Sequence, residues 1–99
     1  MGRLDDKVAV ITGAGRGIGR DIALAMANEG ARIVVNDLGG NTDGTGDGMI
    51  ADDVVDEIRS GGGEAASNTS SVSEVTGGES LLQTAIDNFG GMDILVNNA

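Results

Sequence analysis

The stretch Thr12-Gly13-Ala14-Gly15-Arg16-Gly17-Ile18-Gly19 decides how this chain is read, because it joins the apolar run Val8-Ala9-Val10-Ile11 to a segment of helical periodicity. A strand that delivers the backbone to a glycine-rich bend, followed at once by a helix, makes a phosphate-binding turn. The glycines let the main chain approach the anion, and the free N–H groups of the first helical turn point at its charge. A strict G-x-G-x-x-G fails from Gly13 at Ile18 and from Gly15 at Arg20, so the operative spacing is Gly13, Gly17, Gly19. No Gly-Lys-Ser/Thr follows, which excludes a P-loop.

Working outward, residues 7–12 form a continuous, largely β-branched run, as expected of a parallel strand covered by helices on both faces. The helix after the turn is expected to run to about residue 29, with Ile18, Ile22, Ala25 and Met26 inward and Gly30 as its stop. Residues 32–36 repeat the strand pattern, and Asp37 follows it, 18 residues after Gly19. A carboxylate there accepts hydrogen bonds from both ribose hydroxyls of an adenosine and repels the extra phosphate of NADP. Residues 39–48 hold five glycines and almost no apolar side chain, which predicts a loop.

A second helix is expected over residues 49–60, with Ala51, Val54, Val55 and Ile58 inward and Asp52, Asp53, Asp56, Glu57 and Arg59 forming a solvated face. Residues 64–68 give the weakest strand pattern, predicted at a sheet edge. The last helix has a secure part over residues 79–89, with Leu82, Ala85, Ile86 and Phe89 inward; a start near residue 73 would be interrupted by Gly77-Gly78. Residues 93–96 read as a fourth, buried strand. The alternation is that of an α/β fold, the N-terminal half of a doubly wound parallel (Rossmann) sheet, with strand order 3-2-1-4 and the glycine turn at its centre.

Composition bounds the function. Ninety-nine residues make one domain at most, taken as residues 1–99, and hold about half of a six-stranded dinucleotide-binding sheet. Phe89 is the single aromatic residue, so the core must be aliphatic. A net charge of −10 argues against nucleic acid or an anionic membrane surface as partner. The chain has no cysteine and no histidine, which removes disulfides, thiolate sites and the usual zinc chemistry, and no metal site is expected. The sequence shows no apolar run of membrane-spanning length and no signal-peptide core, so a cytoplasmic protein is expected, whose C-terminus at Ala99 has the look of a cut.

One rival for the glycine turn is the loop of a methyltransferase that binds S-adenosylmethionine, with Asp37 on its ribose. Such loops carry an acid where Ile11 stands. Thr12-Gly13-x-x-x-Gly17-x-Gly19, Asp37 after the second strand, and Asn97-Asn98-Ala99 after the fourth together resemble the short-chain dehydrogenase/reductase family, over essentially the whole chain. The resemblance implies that Gly13, Gly17, Ile18 and Gly19 form the diphosphate turn, that Asp37 holds the ribose, that Ser71 and Val72 lie beside the adenine, and that Asn98 and Ala99 wall the nicotinamide-side ribose. Ser71 departs from the Asp or Asn that family members often carry before the valine. Arg16 holds a position that NADP-preferring members use, but it can equally serve the diphosphate of NAD. Asp37 within about 4 Å of an added phosphate would cost several kcal/mol at an effective dielectric of ~20, so NAD is the expected cofactor.

Val35-Asn36-Asp37-Leu38-Gly39-Gly40 and Ala51-Asp52-x-Val54-Val55-x-Glu57-Ile58 are further similar to the hydroxyacyl-CoA dehydrogenases of the peroxisomal multifunctional type and their bacterial relatives. That likeness implies a 3-hydroxyacyl-CoA among the alcohol and ketone substrates of the family, and a homo-oligomer is expected. The family's catalytic serine and Tyr-x-x-x-Lys have no counterpart, since the chain has no tyrosine and its only lysine is Lys7. No catalytic residue is therefore assigned. The expected parent is an NAD-dependent oxidoreductase whose catalytic half lies outside these residues; the alternative is a non-catalytic nucleotide-binding or interaction module.

Overall fold

The computed structural model describes residues 4–14, 17–37, 49–68 and 75–97. In chain order they form β1 (Val8–Thr12), α1 (Gly17–Asn28), β2 (Arg32–Asn36), α2 (Met49–Ser60), β3 (Glu64–Asn68), α3 (Val75–Phe89) and β4 (Ile94–Val96). The strands make one sheet in the order β3-β2-β1-β4, every pairing parallel. Val10 lies opposite Val34 on one side and Leu95 on the other, and Thr12, Asn36 and Asn68 fall in one row across the carboxyl end.

The alternating sides of β1 and β2 feed two cores. Ala9, Ile11, Ile33 and Val35 pack with Ala23 of α1 and Ala51, Val54, Val55 and Ile58 of α2, while Val8, Val10 and Val34 meet Leu81 and Ala85 of α3 on the other face. A strand covered on both sides has no polar face to show, which is why β1 is buried along its whole length. Burying a Val, Leu or Ile side chain stabilises by about 1.5–3 kcal/mol, so these two aliphatic layers dominate the stability of a chain with one aromatic residue.

Three sequence expectations change. In α1 the buried positions are Gly19 and Ala23, with Ile22 and Met26 partly buried, whereas Ala25 is exposed and Ile18 stands 72% exposed. The smallest residues face the sheet because they let the helix axis approach it. In α3 the helix runs unbroken through Gly77 and Gly78, and Leu81 with Ala85 forms its buried stripe, leaving Leu82 and Ile86 each 44% exposed. Packing against Val8, Val10 and Val34 outweighs the helix penalty of the two glycines. Finally, β4 is not buried: Ile94 and Val96 are half-buried and Leu95 is exposed, because it closes the sheet on β1 with no strand beyond it among the described residues.

The acidic face of α2 is exposed as expected, with Glu57 accepting two hydrogen bonds from the Arg20 guanidinium of α1 at 2.5 and 2.6 Å. At the amino end of the sheet Asp93 joins β1 to β4 twice. Its carboxylate accepts the Val8 N–H at 2.9 Å and its own N–H donates to the Val8 carbonyl at 2.8 Å.

Candidate cofactor-binding site

All strands being parallel, their carboxyl ends share one edge, and the strand order reverses between β1 and β4. Ligands of open α/β sheets bind at such a switch point. The glycine turn leaves β1 there. Gly13 and Gly17 have φ of +63° and +62°, a left-handed conformation that costs an L side chain strain, so glycine is favoured at both where the bend leads to α1. Gly19 is required differently, buried on the face of α1 that meets the sheet.

The turn is tied to the neighbouring strand. Ala14, fully buried, donates its N–H to the Asn36 carbonyl at 2.9 Å, and Asp37 follows Asn36 directly, half-buried at the mouth of the same edge. The Asp37 N–H in turn donates to the Asn68 carbonyl at 3.1 Å. On the other flank Thr12, buried, shares its hydroxyl between the Val96 carbonyl at 3.4 Å and Asn97 Oδ1 at 3.3 Å. Glycine turn, Asp37 and the end of β4 are thus held on adjacent strand ends. Arg16, Ser71, Val72, Asn98 and Ala99 lie outside the described residues, as does the glycine-rich loop of residues 39–48.

Sequence reasoning missed the buried polar row behind this edge. Asn36 donates from Nδ2 to Asn68 Oδ1 at 3.0 Å, and Asn68 donates from its own Nδ2 to Thr84 Oγ1 at 2.9 Å and Ser80 Oγ at 3.1 Å of α3. The signal was present in the chain: Thr12, Asn36 and Asn68 each close a strand run with a short hydrogen-bonding side chain, and Asn97 follows the fourth.

The described part of this edge has the features a dinucleotide would need. A Cβ placed on Gly17 would meet nothing within 4 Å, so there is space at that point of the turn, and Ile18 offers an exposed aliphatic surface beside it. Among the described residues no group of three or more His, Cys, Asp or Glu could hold a metal ion.

Residues 7–99 match the sequence model of the family described as short chain dehydrogenase. The chain belongs to the short chain dehydrogenase family. It is 54% identical over 95 residues to peroxisomal multifunctional enzyme A of Dictyostelium discoideum, covering 95% of this chain and 21% of that protein. The crystal structure of a short chain dehydrogenase from Mycobacterium avium superposes with a TM-score of 0.90 at 52% identity, covering 99% of this chain and 36% of that one. A 7α-hydroxysteroid dehydrogenase complexed with NADH and 7-oxo glycochenodeoxycholic acid is similar at a TM-score of 0.86 and 42% identity, over 98% of this chain and 35% of that one. The chain therefore spans about a third of the length of these solved relatives and about a fifth of the multifunctional one.

Proposed function

We propose that this chain is the cofactor-binding half of an NAD-dependent dehydrogenase that moves a hydride between a carbinol or carbonyl carbon and the nicotinamide. In this reading Gly13, Arg16, Gly17, Ile18 and Gly19 hold the diphosphate and Asp37 accepts hydrogen bonds from the adenosine ribose. Ser71 and Val72 flank the adenine, and Asn98 and Ala99 line the nicotinamide-side ribose. The supporting observation is the link from Ala14 in the turn to the Asn36 carbonyl, with Asp37 one residue on, which couples the ribose carboxylate to the diphosphate turn through a single hydrogen bond.

The nicotinamide supplies the hydride acceptor, and the residues of this chain bind and orient it. They do not supply the proton-transfer group, since there is no tyrosine or histidine, and Lys7 precedes β1 at the sheet end opposite the glycine turn. That group comes from sequence outside these residues. The likeness across residues 35–58 to hydroxyacyl-CoA dehydrogenases favours a 3-hydroxyacyl-CoA as substrate.

Titration of NAD and NADP into the full-length protein, wild type and Asp37→Ala, tests the reading. NAD should bind more tightly to wild type, and Asp37→Ala should weaken NAD by about 1–3 kcal/mol while narrowing the gap to NADP. An unchanged preference in the variant would remove Asp37 from the ribose and shift selectivity to Arg16.

A further inference from the structure

The glycine turn and Asp37 account for one side of the sheet edge, but neither explains why four polar side chains are spent behind it. Asn36 and Asn68 are both buried, and a buried amide left half-satisfied is costly, so their hydrogen bonds constrain geometry strongly. The direction of the chain can be read from its fixed members. Asn36 Nδ2 faces the Asn68 main-chain carbonyl at 3.3 Å, an acceptor only, so the same nitrogen donates to Asn68 Oδ1. Asn68 is then left with its Nδ2 toward α3, where Thr84 Oγ1 donates to the Ser80 carbonyl at 3.0 Å and accepts from Asn68.

We infer that Asn68 is a positioning residue for the cofactor site: its carbonyl holds Asp37 while its amide is anchored to α3, and so it sets the preference for NAD over NADP. The Asn68 carbonyl holds the Asp37 N–H, its amide oxygen holds Asn36, whose carbonyl holds Ala14 of the turn, and its amide nitrogen anchors the assembly to Ser80 and Thr84. β3 has one strand neighbour among the described residues, so losing that anchor loosens its carboxyl end and, through the Asn68 carbonyl, the position of Asp37. The inference rests on Asp37 contacting the ribose, and it adds that Asp37 does so only while Asn68 bridges β2 and α3.

The test is a double-mutant cycle on the full-length protein, with NAD and NADP dissociation constants from calorimetry and folding checked by circular dichroism. Asn68→Ala should cut the NAD-over-NADP preference by roughly threefold to tenfold, the scale of a lost neutral hydrogen bond, and should cut it no further in an Asp37→Ala background. Thr84→Val should shift the preference in the same direction, and Thr84→Ser, which keeps the hydroxyl, should restore it. Should Asn68→Ala not fold, the Thr84 pair decides by the same ratio. A folded Asn68→Ala with reduced stability and unchanged preference would reduce Asn68 to a structural role and overturn the inference, as would additive effects of Asn68→Ala and Asp37→Ala. Unchanged preference in Asp37→Ala alone overturns the ribose reading and this inference with it, whereas a changed preference there beside an unchanged one in Asn68→Ala overturns this inference only.

Discussion

At Gly17 the backbone conformation and the surrounding space make separate demands, and they can be measured apart. A Cβ at this position would strain the backbone at φ +62° yet meet nothing within 4 Å. Gly17→Ala should therefore cost stability by only about 1–2 kcal/mol, the strain of an L residue in the left-handed region. Binding of NAD should fall by more than about tenfold, because the methyl enters the space a diphosphate would fill against backbone N–H groups. A thermal melt and a cofactor titration on the same preparation check both halves, and equal losses in the two would mean that the turn only supports the fold. The places of the glycines and of Asp37 at the carboxyl edge are legible in the sequence because their signal is local: spacing along one βα unit and one strand end. Asn68 is not, since its meaning depends on β3 lying in register with β2 while Ser80 and Thr84, 12 and 16 residues later, return over it. Ile18 reads both as inward and as part of the turn, and its exposure rules out the inward reading.

For the helices and strands, periodicity carried the identity of each element and gave α2 and β2 their observed bounds, but it misjudged the rotation of two helices. A heptad-like pattern tells which residues are apolar, not which of two adjacent apolar strips a sheet will cover. In α3 the choice fell on Leu81 and Ala85 over Leu82 and Ile86, because the first pair lies over Val8, Val10 and Val34. The same contact carried the helix through Gly77-Gly78, where propensity alone suggested a break. Gly78 is exposed, and a Cβ there would meet nothing within 4 Å. Gly78→Ala should thus stabilise the chain by up to about 1 kcal/mol by removing backbone freedom from the unfolded state. Chemical denaturation of the full-length protein, wild type beside Gly78→Ala, measures it. A loss of stability instead would mean that the helix needs glycine there for a close approach from outside the described residues.

On the scale of the whole molecule, the described residues cover the two faces of the sheet unequally. α1 and α2 lie over one face, while on the other α3 covers β1 and β2 and leaves a groove of about 230 Å³ lined by Val10, Thr12, Leu81, Leu82, Met92 and Leu95. Leu95 is 57% exposed on the outermost strand, with Leu82 and Met92 exposed beside it. An aliphatic strand at a sheet edge offers both backbone hydrogen-bonding groups and apolar side chains to another chain. The net charge of −10 opposes unspecific aggregation but not pairing in one register. The 99-residue chain on its own should therefore be marginally stable or associate with itself through β4. Leu95→Lys, which sets a charge on that edge, should move it toward monomer at the cost of folded structure, because burial of the groove and closure of the sheet are lost together. Sedimentation velocity and circular dichroism over a concentration series report mass and folding in parallel. Helical signal that rises with concentration in the wild-type chain and fails to rise in Leu95→Lys is the expected pair of results; a cooperatively folded monomer at every concentration would show that two aliphatic layers and four strands close this half-sheet without help.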